Sequence, residues 1–191
     1  MLYKIVEIFE SLQGEGDEVG APVTFVRLAG CNLICPFCDT DHSSFSLFDI
    51  PAIINLCKSN YVVITGGEPA LYDLRPLCMA LKIAKKRVGL ETNGTLPIKN
   101  LHSFDHISFS PKSGPKTIAI CFANSLKILF PYLSPVVTAS DFSSFPAVHK
   151  FIQPVDGDTN RENLLGAIAE VQRLGWPWRL SPQVHKFLNL K

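Results

Sequence analysis

Short apolar runs alternate along the chain with segments of helical spacing, and each apolar run ends in Gly, Pro, Asn or other polar residues. This alternation predicts parallel α/β architecture, in which buried strands are joined by helices. Strands are predicted at residues 3–9, 23–28, 61–65, 88–91, 106–110, 126–130, 149–153 and 178–180. Helices are predicted at residues 49–59, 71–86, about 159–174 and 184–188.

Local signals mark the ends of the third predicted helix. Asp158 or Thr159 is expected to cap its start, because Thr159 and Glu162 have the spacing of a capping box. Gly175 is expected to end it. Residues 134–144 have the least ordered composition of the chain.

Polar motifs recur at one kind of place, directly after an apolar strand. Parallel α/β folds bind ligands at the carboxyl ends of their strands, so these motifs are expected to meet in one site. A complete (β/α)8 barrel takes about 250 residues, whereas this chain has 191. The chain therefore predicts an α/β fold of the incomplete, partial TIM-like barrel type, formed as a single domain over residues 1–191.

Three cysteines, Cys31, Cys35 and Cys38, form a C-x3-C-x2-C run. Thiolates are strong ligands for iron–sulfur clusters and for zinc. A cubane cluster has four irons, so three cysteines leave one iron open to another ligand and to chemistry. Zinc remains an alternative, because His42 would complete a tetrahedral set. Ferredoxin-like electron transfer is another, and it needs a fourth cysteine folded back onto the cluster.

The remaining composition narrows the classes of function. Cys57, Cys78 and Cys121 are isolated in apolar surroundings and are expected to be buried rather than disulfide-bonded. A formal net charge of +1 argues against broad electrostatic binding to nucleic acid. The first ten residues alternate like a strand and carry Glu7 and Glu10, so no signal peptide is expected. No apolar run is long enough to span a bilayer, and the cytoplasm is the expected compartment.

Motifs after four predicted strands offer groups to a ligand. Gly66 and Gly67 expose backbone groups, and Glu68 adds a carboxylate that could hold an ammonium group; an ordinary strand-to-helix turn is the alternative. The other three motifs are equally compatible with plain turns: Glu91-Thr92-Asn93-Gly94-Thr95, Ser110-Pro111-Lys112 and Gln153-Pro154-Val155-Asp156.

Polar side chains near the first two strands offer further ligands. Gln13 and Glu15 lie in the loop between these strands. Arg27 interrupts an apolar run, so it either faces solvent or presents a bidentate guanidinium to a carboxylate. Asp39 and Thr40 follow the last clustered cysteine, and their oxygen atoms suit Mg2+ as well as simple turn formation.

With these segments in order, the chain resembles the radical S-adenosylmethionine (SAM) superfamily. The cysteine run with the aromatic Phe37 in its second gap and the run Gly66-Gly67-Glu68-Pro69 carry that resemblance. The chain is also similar to the 7-carboxy-7-deazaguanine synthase family, and this similarity spans nearly its whole length. It rests on residues 11–16, 27–33, 38–40, 91–95, 110–112, 153–156 and 180–186.

The resemblance implies a partial barrel of the radical SAM type with about six parallel strands. It implies a lyase that converts 6-carboxy-5,6,7,8-tetrahydropterin to 7-carboxy-7-deazaguanine with loss of ammonia, on the way to queuosine and related 7-deazapurines. The implied cofactors are a 4Fe-4S cluster, SAM and Mg2+. By motif match, Cys31, Cys35 and Cys38 hold the cluster and Thr40 binds Mg2+.

The resemblance also implies the residues that bind SAM and substrate. The SAM-binding set is Phe37, Cys38, Asp39, Gly67, Glu68, Gly94, Ser110, Pro111, Lys112, Gln153, Pro154, Val155 and Asp156. The pterin-binding set is Leu12, Gln13, Gly14, Glu15, Arg27, Thr92 and, through its terminal carboxylate, Lys191. The implied partners are a flavodoxin- or ferredoxin-type reductant and a second copy of the chain in a homodimer, with neither nucleic acid nor membrane.

Two other functions stay open at this point. Another small radical SAM enzyme, such as a glycyl-radical activase, shares the cysteine run, and loss of Mg2+ dependence would favour it. A zinc-stabilised binding module without catalysis predicts one zinc and no iron, and leaves the strand-end motifs unexplained. The chain is also short for the family near residues 44–49 and 134–145, which predicts trimmed loops.

Overall fold

One mixed sheet carries the fold. The computed structural model describes residues 1–132, 134–157 and 159–191, and within these ranges the sheet has nine strands in the order β3-β1-β2-β4-β5-β6-β7-β8-β9. The strands are β1 (Leu2–Leu12), β2 (Pro22–Leu28), β3 (Ser46–Asp49), β4 (Tyr61–Gly66), β5 (Arg87–Thr92), β6 (His106–Phe109), β7 (Ala123–Phe130), β8 (Ala147–Pro154) and β9 (Trp178–Leu180). The α-helices are α1 (Ile50–Leu56), α2 (Arg75–Ile83), α3 (Asn160–Leu174) and α4 (Val184–Phe187).

Most of the sheet is parallel and open. Successive parallel pairs join β2 to β4 and then each following strand through to β9. β1 pairs antiparallel with both β2 and β3. Among the described strands β3 and β9 form the two edges, so the barrel does not close. The predicted partial barrel is confirmed, with seven parallel strands rather than about six because the three-residue β9 joins β8.

The helices are shorter than their sequence patterns. α2 begins at Arg75 rather than at residue 71, because a 3-10 turn over Pro69–Leu71 comes first and Pro76 favours the first turn of a helix. α3 begins after Thr159, whose side chain makes no capping bond, so the predicted capping box does not form. The alternative cap, Asp158, lies outside the described residues.

β3 is an element that the sequence pattern did not predict. It pairs with β1 from Leu2 opposite Asp49 to Ile5 opposite Ser46. Most of its side chains are exposed, so no apolar periodicity marks it. It leads straight into α1.

Residues 134–144 are packed against the sheet, contrary to the expectation from their composition. Val137, Ala139 and Phe142 are buried in this stretch. The ring of Phe142 lies 5.9 Å from the ring of Phe109 on β6, in an edge-to-face arrangement. A few apolar anchors therefore hold a connection that is otherwise polar.

The isolated cysteines are of two kinds. Cys57 and Cys78 are buried, as predicted. Cys121 is exposed, which corrects the prediction for that residue. It lies in the loop before β7, where Ile120 turns inward and Phe122 outward, so apolar neighbours in sequence do not bury it.

The two faces of the parallel strands carry different chemistry. On β7, Leu126 and Ile128 join the large apolar core that also includes residues of α1, α2 and α3. The intervening Ser125 and Lys127 face the barrel interior and are buried polar groups. Neighbouring strands and the ends of β4 and β8 add further polar groups to this interior: Thr65, Glu91, Ser108 and Gln153. Among the described helices, none combines the length and the apolar character needed to cross a bilayer.

Candidate active site

A cleft of about 370 Å³ opens at the carboxyl ends of the parallel strands. Nineteen of the residues that the sequence assigned to the site line it: Leu12, Gln13, Glu15, Arg27, Cys31, Cys35, Phe37, Cys38, Asp39, Thr40, Gly67, Thr92, Ser110, Lys112, Gln153, Pro154, Val155, Asp156 and Lys191. Four assigned residues do not contribute to the lining: Gly14, Glu68, Gly94 and Pro111. Strand ends far apart in the sequence therefore meet at one place.

The cysteine loop follows β2 and is tied back to the fold on both sides. Gly30, whose φ of 81° favours glycine, donates its N–H to His42 O at 2.9 Å and closes the loop. Asn32 reaches the turn after β5, where its amide donates to Thr95 Oγ1 at 2.8 Å. Between these ties Cys35 O accepts from the N–H of Cys38 at 3.1 Å. The loop thus presents its thiols to the cleft from a braced backbone.

Burial raises the pKa of the Cys35 thiol, the Lys112 cation acts in the opposite direction, and the nearby Cys31 and Cys38 raise it further. The three thiols are therefore close enough to interact electrostatically; Cys31 and Cys35 are half-buried and Cys38 is exposed. A metal cluster that takes thiolates would relieve this mutual repulsion.

The glycine pair after β4 touches the cysteine loop. A Cβ at Gly67 would lie 2.1 Å from Gly30 O and 2.9 Å from Cys31 Cβ, and one at Gly66 would lie 2.1 Å from Leu28 O. No other residue type fits such an approach. The N–H groups of Gly67 and Glu68 already donate to Leu28 O and Gly30 O, at 3.3 and 2.9 Å. Carbonyl oxygens, rather than N–H groups, are left to face a ligand.

Glu68 is turned away from the cleft and is fully buried. Its carboxylate accepts from Thr92 Oγ1 at 2.8 Å, from the N–H of Asn93 at 2.7 Å and from the N–H of Ala70 at 2.9 Å. Burial raises the pKa of this carboxyl, and the three hydrogen bonds oppose the shift. Glu68 therefore ties the end of β4 to the end of β5, and its direct contact with SAM stays a prediction.

Of the other assigned residues outside the lining, Pro111 is buried, and two glycines allow close packing against residues that do line the cleft. Gly14 is covered by α4, since its carbonyl accepts from the N–H of Val184 at 2.9 Å and a Cβ there would collide with His185. Gly94 has a φ of 73° and lies against Phe109, whose ring atom Cε2 would be 2.4 Å from an added Cβ. These two glycines permit close packing behind the cleft wall.

A lysine and an aromatic ring face each other across the cleft. Lys112 Nζ donates to Ser110 Oγ at 2.7 Å and lies 5.7 Å from the centre of the Phe37 ring. Burial lowers the pKa of Lys112 to about 8, and the nearby ammonium of Lys127 adds to the shift. The flat face of Phe37 and the donor of Lys112 together suit a planar heterocycle with polar edges.

A network of charged and amide groups forms the floor of the cleft. Glu15 accepts from Gln183 Nε2 at 2.7 Å and forms an ion pair with the buried Lys127. Gln13 Nε2 donates to Glu91 Oε1 at 3.2 Å, and Gln13 Oε1 accepts from the N–H of Glu15 at 3.1 Å. A floor of this kind can hold a polar ring that carries both donors and acceptors.

Arg27 faces the cleft, not bulk solvent. Its Nε donates to Glu7 Oε1 at 2.9 Å, and its Nη1 lies 3.5 Å from Thr40 Oγ1. Lys191 also pairs with Glu7, and its main-chain oxygen accepts from Ser11 Oγ at 2.7 Å. The last residue of the chain is thus held beside Arg27, at the end of the cleft where a carboxylate ligand would bind.

One lysine of α4 joins the cysteine loop to the loop after β8. Lys186 Nζ lies 2.8 Å from Asp39 Oδ2 and 2.9 Å from Asp156 Oδ2. Burial opposes ionisation of Asp39, but the Lys186 ammonium outweighs it and lowers the pKa of this carboxyl. The predicted SAM-binding residues Asp39 and Asp156 are therefore held in register by the C-terminal helix.

The clustered thiols are not all in mutual contact. Within the described residues, the one group of three metal-binding side chains whose ligand atoms lie within 4.8 Å of one another is Asp17, Glu18 and His106. At least two of the three cysteine sulfurs are therefore further apart than 4.8 Å, a separation that is compatible with ligands to separate irons of one cluster.

The cleft also fits SAM and Mg2+. Gln153 Oε1 is buried and has no hydrogen-bond partner among the described residues, so a hydroxyl or amino group of SAM would satisfy it. Thr40 lines the cleft, and its hydroxyl would supply one hard oxygen for Mg2+. Because Mg2+ binds six oxygens, the remaining ligands would come from substrate and water.

Sequence reasoning gave no role to several residues of the floor. Lys127 lies inside an apolar strand run, and that signal, which singled out Arg27, could have found it. Glu91 was named only as the first residue of a motif that offers groups to a ligand, without a role of its own. Gln183 and His185 lie in the C-terminal segment and line the cleft because α4 folds back over it. The residues next to them in the sequence do not indicate that this segment folds back over the cleft.

Comparisons with known proteins place the chain in a family. Residues 25–129 match the profile of the Radical SAM superfamily. The chain is 37% identical over 194 positions to 7-carboxy-7-deazaguanine synthase from Bacteroides thetaiotaomicron, with all of both chains covered. It is 35% identical over 215 positions to 7-carboxy-7-deazaguanine synthase from Burkholderia multivorans, again with complete coverage.

The fold is similar to the crystal structure of QueE from Escherichia coli. The TM-score is 0.74 at 25% sequence identity, covering 97% of this chain and 95% of that chain. Against the Burkholderia protein, 215 aligned positions for 191 residues leave 24 positions without a residue in this chain. Against the Bacteroides protein the same difference is three. The motifs, the fold and the complete coverage establish that the chain belongs to the 7-carboxy-7-deazaguanine synthase family of the radical SAM superfamily.

Proposed function

We propose that this chain converts 6-carboxy-5,6,7,8-tetrahydropterin to 7-carboxy-7-deazaguanine with loss of ammonia, as a lyase of queuosine biosynthesis. The observation that carries the proposal is one cleft in which a three-cysteine loop meets a floor of charged and amide groups. The cysteines suit a cluster with an open iron, and the floor suits a polar heterocycle. Family membership supplies the reaction that requires both.

The cofactor end of the cleft is built from the ends of β2, β4, β6 and β8. Cys31, Cys35 and Cys38 would hold the 4Fe-4S cluster, and the carbonyls beside Gly67 would accept from the ammonium of SAM. When bound, the cluster and SAM supply a 5′-deoxyadenosyl radical for hydrogen abstraction from the substrate. The face of Phe37 lies in the cleft wall, where it can pack an adenine ring.

The substrate end is built from β1, β2, β5 and the loop after β1. Arg27 offers a fork to the substrate carboxylate, and the nearby Thr40 hydroxyl offers an oxygen to Mg2+. Mg2+ at that place would orient the carboxylate and offset its charge. Leu12, Gln13 and Thr92 line the same region and would meet the ring system.

The C-terminal segment covers the cleft and limits the access of water. The cation of Lys186 holds it to Asp39 and Asp156, and Gln183 holds it to Glu15. A shielded site protects a reactive radical from side reactions. We further propose a flavodoxin- or ferredoxin-type reductant, a homodimer, a single domain over residues 1–191 and a cytoplasmic location.

One anaerobic reaction tests the proposal. Protein reconstituted with iron and sulfide is mixed with dithionite, SAM, Mg2+ and 6-carboxytetrahydropterin, and products are read by mass spectrometry. We expect 5′-deoxyadenosine and 7-carboxy-7-deazaguanine together. Cys35→Ala should lose both products and most of the bound iron, whereas Cys121→Ala, which removes an exposed cysteine far from the cysteine run in sequence, should keep them.

Each other outcome has a definite meaning. Deoxyadenosine without the deazaguanine would keep the radical SAM chemistry and overturn the substrate, and turnover that does not depend on Mg2+ would favour an activase. A protein that retains one zinc and no iron after reconstitution would overturn the cluster itself. Equal iron in Cys35→Ala and the unchanged protein would remove that thiol from the ligand set.

A further inference from the structure

Lys127 is an unusual residue for the middle of a parallel strand. It lies on β7 between Leu126 and Ile128, which are fully buried in the apolar core, and only 5% of Lys127 is exposed. A lysine is rarely buried to this extent without a partner, because its charge is costly to remove from water. Its ammonium faces the barrel interior and forms an ion pair with Glu15. None of the sequence motifs assigned it a role.

The partner of Lys127 is a carboxylate at the floor of the cleft. Glu15 lies in the loop after β1, and its second oxygen accepts from Gln183 Nε2 at 2.7 Å. The N–H of Glu15 donates to Gln13 Oε1 at 3.1 Å, so both cleft-lining residues are held together. The orientation of this part of the floor therefore depends on what fixes the Glu15 carboxylate.

Burial alone would favour the neutral form of Glu15. The Lys127 ammonium and the Gln183 amide outweigh burial and hold the pKa of the Glu15 carboxyl well below its usual value. Conversely, burial alone would lower the pKa of Lys127, and the Glu15 and Glu91 carboxylates outweigh it and raise that pKa. A lysine held charged in this way is a poor proton donor, and it acts as a fixed cation.

We propose that Lys127 is a positioning residue for the substrate: its ammonium fixes the Glu15 carboxylate as an acceptor for the ring N–H donors of the pterin. This inference rests on the proposed function. A reduced pterin carries several N–H and amino donors, and a charged acceptor binds them more strongly than a neutral one. Because the acceptor is fixed before the substrate arrives, no binding energy is spent on ordering it.

Removing the Lys127 ammonium changes the pKa of the Glu15 carboxyl. The other ionisable groups around this pair are Glu91 and Asp17, which face Lys127, Lys112 and Asp39 in the loops above the floor, and His185 on α4. In Lys127→Met the Gln183 amide and the more distant Lys112 and His185 would remain beside Glu15, without the ammonium that pairs with it. Burial is the largest influence on this carboxyl, so we expect its pKa in the variant to rise above the ordinary value of 4.5 and the carboxyl to be neutral over part of the working pH range.

Three variants test the inference: Lys127→Met, Lys127→Arg, and the double variant Lys127→Met with Glu15→Gln. The matched control is Lys150→Met, which removes a lysine from the adjacent strand β8 outside the cleft lining. Each reconstituted protein is titrated anaerobically with 6-carboxytetrahydropterin in the presence of SAM by calorimetry, from about pH 5 to 8. The unfolding midpoint is measured over the same pH range without the pterin.

We expect Lys127→Met to weaken pterin affinity about tenfold or more near neutral pH, as loss of a charge-assisted hydrogen bond would, and to regain affinity as the pH rises. Lys127→Arg should retain most of the affinity. The double variant should bind weakly at every pH, because its amide cannot ionise. SAM affinity should change little in any variant.

The unfolding midpoints test the ion pair without the substrate. In Lys127→Met we expect the folded pKa of Glu15 to exceed the unfolded pKa. The contribution of Glu15 to the free energy of unfolding is then fully present below the unfolded pKa and is lost as the pH rises through the folded pKa. The double variant should lack this fall, and its apolar and neutral side chains keep it folded for the comparison.

Several results would overturn the inference. Equal pterin affinity in Lys127→Met and the unchanged protein at all pH values would remove the role in binding. A midpoint of Lys127→Met that depends on pH no more than that of the double variant would remove the ion pair itself. If the unchanged protein does not bind the pterin, the proposed function fails, and the midpoints alone decide whether Lys127 fixes Glu15.

Discussion

Buried polar side chains hold neighbouring strand ends together in this protein. Glu68 is the clearest case, because its carboxylate accepts from two backbone N–H groups and from the Thr92 hydroxyl while being fully buried. It links the turn after β4, which touches the cysteine loop, to the turn after β5. Glu68, which the sequence motif predicted to bind SAM directly, thus holds in place the backbone that faces the ligand.

Glu68→Gln should destabilise the protein by about 1–3 kcal/mol, because the new amide group directs donors at N–H groups that need an acceptor. The free energy of unfolding in urea measures the effect, and Glu162→Gln in the exposed first turn of α3 is the control. SAM affinity should also fall, since the turn beside Gly67 loses its brace. An unchanged SAM affinity in a destabilised variant would restrict Glu68 to stability alone.

At the scale of elements, the loop after β1 covers the end of the barrel interior that lies opposite the cleft. Asp17 in its 3-10 turn accepts from His106 Nε2 at 3.0 Å and from Ser125 Oγ, and lies 3.6 Å from His149 Nε2. These three partners lie near the starts of β6, β7 and β8. Two residues earlier in the same loop, Glu15 reaches the cleft floor, so one short segment spans the barrel interior.

Asp17 makes the stability of this element depend on pH. Burial opposes its ionisation, but the bonds from His106 and Ser125 outweigh burial and hold the pKa of this carboxyl well below its usual value. Its contribution is therefore present above the unfolded pKa of about 3.8 and is lost as the pH falls through the folded pKa.

Asp17→Asn should lower the free energy of unfolding by about 1–3 kcal/mol near neutral pH, and the difference from the unchanged protein should shrink as the solution is made more acidic. Urea unfolding at about pH 7 and at about pH 3 measures this. Asp141→Asn, at an exposed turn, is the matched control. A penalty for Asp17→Asn that stays constant across this range would show that the charge of Asp17 is not what holds the loop.

At the scale of the whole molecule, stability and chemistry lie on opposite faces of one sheet. The helices cover the outer face of several strands, but the crossovers from β5 to β6, β6 to β7 and β7 to β8 contain no α-helix among the described residues. There, aromatic residues of the loops replace the helix. The ring centres of Phe109 and Phe145 lie 4.8 Å apart, and Phe142 packs beside both.

Phe142→Ala should therefore lower the free energy of unfolding by about 3–5 kcal/mol, as expected for a buried aromatic side chain. It should also expose residues 134–145 to limited proteolysis, because the connection loses its main anchor. Phe122→Ala, at a substantially exposed position, should have a smaller effect on both. Similar proteolysis of the two variants would mean that the rest of the connection holds itself in place.

The sequence by itself determined the strand order along the chain, the partial barrel and most residues of the cleft. The strands and the strand-end motifs follow from local properties, namely apolar period, glycine where backbones approach closely, and polar groups placed directly after strands. The assignment of the cleft residues to SAM, substrate and metal came from the resemblance of those motifs to the family. The cysteine run needs no tertiary context, since its three ligands lie within one loop.

Only the tertiary structure decided which charged and polar side chains pair with each other. Lys127 and Glu15 are separated by 112 positions in the sequence and meet inside the barrel. Glu68 turns from the cleft to the backbone, and α4 returns across the site so that Lys186 joins Asp39 to Asp156. β3 and the packed stretch at residues 134–144 carried no periodic signal. In each case the structure depends on burial against residues that are distant in the sequence, and no local pattern encodes such contacts.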